Sequence, residues 1–81
     1  MNVEKIIQAN QALQLLAKQR KLVMREITKR RAKLAAVSII GSNDKVQILA
    51  SEIQGYEAEL GKVDGQIDER KQDLQKAMSA S

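Results

Sequence analysis

The 81-residue sequence contains no cysteine and no histidine. Disulfides are therefore impossible, and the side chains that most often bind structural zinc are missing. A chain of this length builds at most one small domain, whose core is marginal without disulfides, metal or oligomerisation. We therefore expect self-association to supply additional stability.

Proline, tryptophan and phenylalanine are also absent, and Tyr56 is the only aromatic residue. This argues against a β-sandwich or a β-barrel. Alanine, leucine, isoleucine, glutamine, glutamate, lysine and arginine dominate instead, a composition typical of long helices and coiled coils. The composition predicts an all-α protein.

Long apolar runs are missing as well. Glu4 and Lys5 interrupt the N-terminal segment, so no signal peptide is predicted. Polar residues also break up the apolar positions between residues 6 and 16, which excludes a membrane span there. We expect a soluble, cytoplasmic protein that does not contact a membrane.

One short segment, "IIGSNDK", carries turn signals. Gly41 suits the left-handed position that follows a helix, and Asp44 with Gln47 fits a capping box. The alternative caps are Ser42 and Asn43. We expect a single domain over residues 1–81, with a helix at about 3–40, a turn at about 41–44 and a helix at about 45–78.

Both predicted helices carry apolar residues at alternating spacings of three and four, which is the coiled-coil pattern. We call these positions the seam. In the first helix they are Ile6, Ala9, Leu13, Leu16, Arg20, Val23, Ile27, Arg30, Leu34 and Val37, and in the second Val46, Leu49, Ile53, Tyr56, Leu60, Val63, Ile67, Arg70, Leu74 and Ala77.

Folding the chain at residues 41–43 brings the two halves of the seam into matching layers, with Leu34 near Leu49 and Val23 near Leu60. The sequence thus predicts an antiparallel two-helix hairpin, a coiled coil that we expect to dimerise into a four-helix bundle. A dimer of extended helices is the alternative, which the turn residues oppose.

Three arginines, Arg20, Arg30 and Arg70, occupy seam positions. One interpretation is that their stems pack while their guanidinium groups reach nearby carboxylates at the surface. The other is that they fix the register at some loss of stability.

The segment from Arg25 to Val37 contains five basic residues and one acid. The first helix has nine basic and two acidic residues, a net charge of +7. From Asp44 onward there are five basic and eight acidic residues, a net charge of −3. Part of the basic run, including Arg30 and Arg31, is therefore expected to pair with the second helix.

Five other basic residues of the first helix lie opposite the seam at 100° per residue, together with two leucines. We call this set the outer arc: Leu15, Lys18, Lys21, Leu22, Arg25, Lys29 and Lys33. Its mixed apolar and basic character suits a partner helix with acidic flanks. Phosphate contacts with nucleic acid are the alternative, although no aromatic is free to stack on bases. A simple solvated face is the third.

The second predicted helix has small residues at helical spacing, where glycine is otherwise unfavourable. We call this set the small-residue face: Ile48, Ser51, Gly55, Ala58 and Gly65. We expect it to contact a second copy of the chain, and the alternative is a surface without a function.

Nothing in the sequence predicts catalysis. No general base stands beside the serines, and no glycine-rich phosphate loop or metal-ligand spacing is present. We expect a protein without enzymatic activity, cofactor or metal, either an interaction module (adaptor, assembly chaperone or inhibitor) or a nucleic-acid-binding hairpin. A third interpretation is one coiled-coil segment of a larger assembly.

Overall fold

The computed structural model describes residues 1–79, which form two long helices: α1 (Val3–Ile40) and α2 (Asn43–Ser79). The helices pack side by side into a rod with principal extents of 61 × 14 × 12 Å. The predicted all-α helical hairpin is confirmed. Dimerisation into a four-helix bundle stays a prediction.

Both ends of α1 are capped, and the glycine at its C-terminal end was predicted. The Asn2 side chain accepts a hydrogen bond from the Lys5 amide at 3.1 Å, which satisfies one of the unpaired amides of the first turn. Gly41 takes the left-handed conformation, with φ 87° and ψ 24°, and its amide donates to the Val37 carbonyl at 2.9 Å. This conformation strains any residue with a Cβ atom, so glycine ends the helix at low cost.

The start of α2 corrects the predicted cap. The helix begins at Asn43, two residues earlier than expected, and the Ser42 carbonyl accepts the Val46 amide at 3.1 Å. Asp44 therefore lies inside the first turn of α2, where its negative charge interacts favourably with the helix dipole. The predicted capping box of Asp44 with Gln47 is wrong. The cap position belongs to Ser42, so that the turn comprises Gly41 and Ser42.

The core follows the seam. The buried apolar residues are Ala9, Val23, Ile27, Ile53, Val63 and Ala77, and all six occupy predicted seam positions. Only Ile27, at 1 % exposure, is large and fully buried. Most of the remaining seam is half-buried, because two helices alone cannot enclose an apolar stripe. Within residues 1–79, neither helix is both long and apolar enough to cross a membrane.

Candidate protein-interaction face

Ion pairs link the two helices of the hairpin. Arg20 donates to Asp64 at 2.8 Å and Arg31 to Glu57 at 2.8 Å. Since residues further along α1 pair with residues nearer the start of α2, the helices are antiparallel. The expectation that Arg20 reaches a carboxylate on the facing helix is confirmed.

Arg30 is the centre of a larger cluster. Its guanidinium donates to Glu52 at 2.6 Å and to the Glu26 carboxylate, and its central carbon lies 4.5 Å from the Tyr56 ring centroid. These contacts combine charge-assisted hydrogen bonds with a cation–π interaction. Arg30 is therefore fully used inside the hairpin, as the sequence suggested.

The same cluster shifts the pKa of Glu26 and of Arg30. The hydrogen bond from Arg30 lowers the pKa of Glu26 below its ordinary 4.5, and the charges of Lys29 and Lys33 add smaller effects in the same direction. Partial desolvation opposes them. The hydrogen bonds to Glu26 and Glu52 raise the pKa of Arg30, so the pair of Arg30 and Glu26 stays ionised near neutral pH.

Arg70 differs from the other two seam arginines. It is exposed, and within residues 1–79 its one ion pair is with Asp73, on its own helix, at 3.8 Å. It therefore finds a nearby carboxylate but makes no bridge between the helices.

The outer arc forms no ion pair in the part of the chain that the structure describes. All seven of its residues are exposed, with Leu15 at 62 % and Leu22 at 57 % exposure. Among residues 1–79, none of its five cations forms an ion pair, since every basic residue in the ion pairs found there is an arginine of the seam or Arg31. The pairing across the hairpin thus accounts for Arg30 and Arg31 but leaves Lys18, Lys21, Arg25, Lys29 and Lys33 available.

The small-residue face is also uncovered. Ile48 is 59 % exposed, and the other four members are exposed too. A Cβ atom built on Gly55 or Gly65 would meet no atom within 4 Å. The hairpin itself therefore gives no packing reason for glycine at these positions.

Two shallow grooves bring the outer arc and the small-residue face together. In the first, which we call the leucine groove, Leu22 and Val23 of α1 stand opposite Ala58 and Val63 of α2. The sequence analysis treated Leu22 and Ala58 as parts of separate surfaces, but the structure places them on two walls of one groove.

The second groove, which we call the turn groove, lies near the end of the rod. Its walls include Lys33, Ala36 and Val37 of α1, and Lys45, Ile48 and Leu49 of α2. Ala36 is 14 residues from Leu22, and Ile48 is 14 residues from Lys62, another residue of the leucine groove. Since 14 residues are two heptads, both grooves open on the same side of the hairpin, which we call the front face.

Not every predicted residue belongs to the front face. Lys21 lies about 100° around α1 from Leu22, so it points toward the opposite edge of the outer arc. Ile39 and Ile40 lie beside the turn and are the most exposed large apolar residues of the described chain. The sequence predicted no role for them, because they lie outside the seam and are not part of a row of apolar and charged residues at helical spacing.

The chemistry available on the front face is that of binding. It combines exposed aliphatic side chains, small residues that permit close approach, and cations without partners. Among the residues that the structure describes, no three acidic side chains are grouped so that they could hold a metal ion.

Comparison of the chain with protein-family models, with curated proteins and with solved structures finds no significant match.

Proposed function

We propose that this chain is a small non-enzymatic interaction module, acting in the cytoplasm as an adaptor, assembly chaperone or inhibitor by binding another protein through α1. The observation that carries the proposal is the pair of exposed leucines, Leu15 and Leu22, within a row of cations that pair with no acid in the described chain.

The spacing of the leucines indicates the shape of the partner. Leu15 and Leu22 are seven residues apart, so they lie about 10 Å apart along the axis of α1. A partner helix with two apolar residues at the same spacing would cover both. Leaving two aliphatic side chains in water has a cost of roughly 25 cal/mol per Å² of apolar surface, which a partner of this kind would recover.

The charges indicate what should flank those apolar residues. Lys18, Arg25 and Lys29 alternate with the leucines, and acidic residues on the edges of a partner helix would face them. Such rim charges speed association and set orientation more than they add affinity. We therefore expect the partner to be an acidic-flanked amphipathic helix or a groove of that character.

The proposal is tested by capture from a lysate of the source cell, treated with nuclease, using the tagged chain and its Leu15→Ser, Leu22→Ser variant. We expect a stoichiometric protein to survive nuclease with the natural chain and to be lost with the variant, while the helical circular dichroism signal is unchanged. The control is Ile39→Ser with Ile40→Ser, which also removes two exposed aliphatic residues but lies outside the outer arc. A complex that survives the leucine variant would contradict the proposal.

The five unpaired cations also support a second candidate, a hairpin that binds nucleic acid through phosphate contacts. Binding of that kind weakens steeply with salt and does not need leucines. Lys18→Gln with Arg25→Gln should then abolish binding to duplex or single strands, and Leu15→Ser with Leu22→Ser should leave it intact. No binding at low salt would remove this candidate.

A further inference from the structure

We propose that a second copy of this chain covers the front face, in a two-fold dimer whose turns lie at the same end. In this arrangement α1 of each copy packs against α2 of the other. The inference goes beyond the proposed function, because it concerns what the chain does in the absence of any other protein.

The sparse core of the hairpin is the first argument. Among the residues that the structure describes, six apolar residues are buried along a 61 Å rod, and two of them are alanines. Three glycines inside α2, Gly55, Gly61 and Gly65, reduce its helical stability further. A chain of this size without disulfides therefore needs more buried apolar surface than one hairpin offers.

The side chains on the front face are complementary in size. In the turn groove the large exposed residue, Ile48, belongs to α2, and the small one, Ala36, belongs to α1. In the leucine groove the order is reversed, since Leu22 belongs to α1 and Ala58 to α2. A two-fold axis along the rod sets α1 of one copy on α2 of the other at equal height, so Ile48 meets Ala36, and Leu22 lies within about one helical turn of Ala58.

The charges select the same arrangement. α1 carries a net charge of +7 and α2 carries −3. Turns at opposite ends would place α1 on α1, where like charges repel, whereas turns at the same end place the basic helix on the acidic one. Glu59 lines the leucine groove and forms no ion pair among the described residues, so it is available to the unpaired lysines of the other copy.

The area of the front face is sufficient for a stable dimer. A rectangle of 61 by 14 Å covers about 850 Å². Interfaces of standard size bury about 800 Å² on each partner. Burial of the front face alone would thus reach the size of a specific interface.

The first test is the mass of the isolated chain by light scattering and sedimentation, between about 1 μM and about 1 mM chain. We expect about 18 kDa, twice the chain mass of 9.0 kDa. A mass of 9.0 kDa over the whole range would overturn the proposal.

The second test measures the orientation. The chain has no cysteine, so Asn43→Cys introduces a single site for a nitroxide label at the exposed start of α2. Neighbouring helices pack about 10 Å apart, so turns at the same end should place the two labels within about 25 Å. A distance near the 61 Å length of the rod would show turns at opposite ends and refute the arrangement.

A matched pair of variants tests the face itself. Gly55→Leu with Ala58→Leu fills the small positions of the front face and should shift the mass toward 9.0 kDa. The control is Gln54→Leu with Gly61→Leu, which adds two leucines at exposed positions rotated about 100° around α2 from the heptad position of Gly55. This control variant should remain a dimer. Equal masses for the two variants would contradict the proposed interface.

This dimer would bury Leu22 and so compete with the binding of another protein through α1. This regulatory role rests on the proposed function. Fluorescence polarisation of a labelled tracer peptide, an acidic amphipathic helix with two leucines seven residues apart, separates the two proposals. If the natural chain is monomeric and binds the tracer, the dimer is rejected and the proposed function stands. If the natural chain is a dimer, and neither it nor the Gly55→Leu, Ala58→Leu variant that separates it binds the tracer, the proposed function is rejected and the dimer stands.

Discussion

The guanidinium of Arg30 lies over the ring of Tyr56, with its central carbon 4.5 Å from the ring centroid, while hydrogen bonds hold it to Glu26 and Glu52. Arg30 thus links α1 to α2 through Tyr56 and Glu52, and it also binds Glu26 on its own helix. An arginine at a position where the heptad pattern calls for an apolar residue is tolerated here because its stem packs and every charged contact is satisfied.

This cluster predicts unequal effects of removing neighbouring arginines. Arg30→Met should lower the melting temperature more than Arg31→Met, because it leaves Glu26 and Glu52 near each other without a cation and uncovers the Tyr56 ring. Arg31 forms a single exposed ion pair with Glu57, and pairs of that kind contribute little. Thermal unfolding followed by circular dichroism measures both changes, and equal shifts would argue against a structural role for the cluster.

The lowered pKa of Glu26 predicts an acid-dependent loss of stability. Because this pKa is below 4.5 in the folded chain, the ionised carboxylate stabilises the fold above pH 4.5, and the stabilisation is lost as the pH falls through the lowered value. Glu26→Gln should flatten the decrease of unfolding free energy below pH 4.5. A slope below pH 4.5 that is the same in the Glu26→Gln variant as in the natural chain would contradict this prediction.

Replacing a seam arginine by an apolar residue should stabilise the hairpin. Arg20→Leu exchanges an exposed ion pair, generally worth about 0.2–1 kcal/mol, for a leucine that completes the apolar stripe. Partial burial of leucine contributes roughly 1–2 kcal/mol, so we expect a rise of a few degrees in melting temperature. Arg31→Leu, outside the seam, is the control and should give no rise. A clear drop for Arg20→Leu would show that this arginine is needed for the register.

The same substitution should have opposite effects at two glycines. Gly41→Ala places a Cβ atom on a residue with φ 87° and should lower the unfolding free energy by about 1–2 kcal/mol. Gly61→Ala lies inside α2, where alanine is favoured by about 0.8–1 kcal/mol, and should raise it. Neither Cβ atom would meet a neighbour within 4 Å, so the backbone alone determines the sign. Urea unfolding at one chain concentration measures both.

The fold was accessible from the sequence because two helices and one turn leave few alternatives. Heptad spacing located the seam, and Gly41 located the turn, since only a glycine adopts its conformation without strain. The cap of α2 was not predicted correctly, because Ser42, Asn43 and Asp44 all favour cap positions and the choice depends on how α1 ends.

The site was predicted only in pieces. Exposure of Leu15 and Leu22 followed from their distance from the seam, but the groove that Leu22 shares with Ala58 requires knowing which flanks of two antiparallel helices meet. The heptad positions could have indicated this, because residues at the same heptad position of the two helices, such as Leu22 and Lys62, lie on the same side of the hairpin. The partners of Arg20 and Arg31 could be predicted only as a choice among several carboxylates, since side-chain reach exceeds the spacing between them.

The backbone amide of Asn2 donates to the carbonyl of Ala77 at 3.0 Å, so the chain enters and leaves the hairpin at nearly the same point. A host protein could therefore receive residues 2–77 within a single surface loop with little change in the separation of the loop's ends. The inserted rod would project about 60 Å from the host, consistent with its 61 Å length. Ile39, Ile40 and the turn would stand at its far end, which makes this hairpin suitable as a rigid arm for presenting a small apolar tip at a set distance.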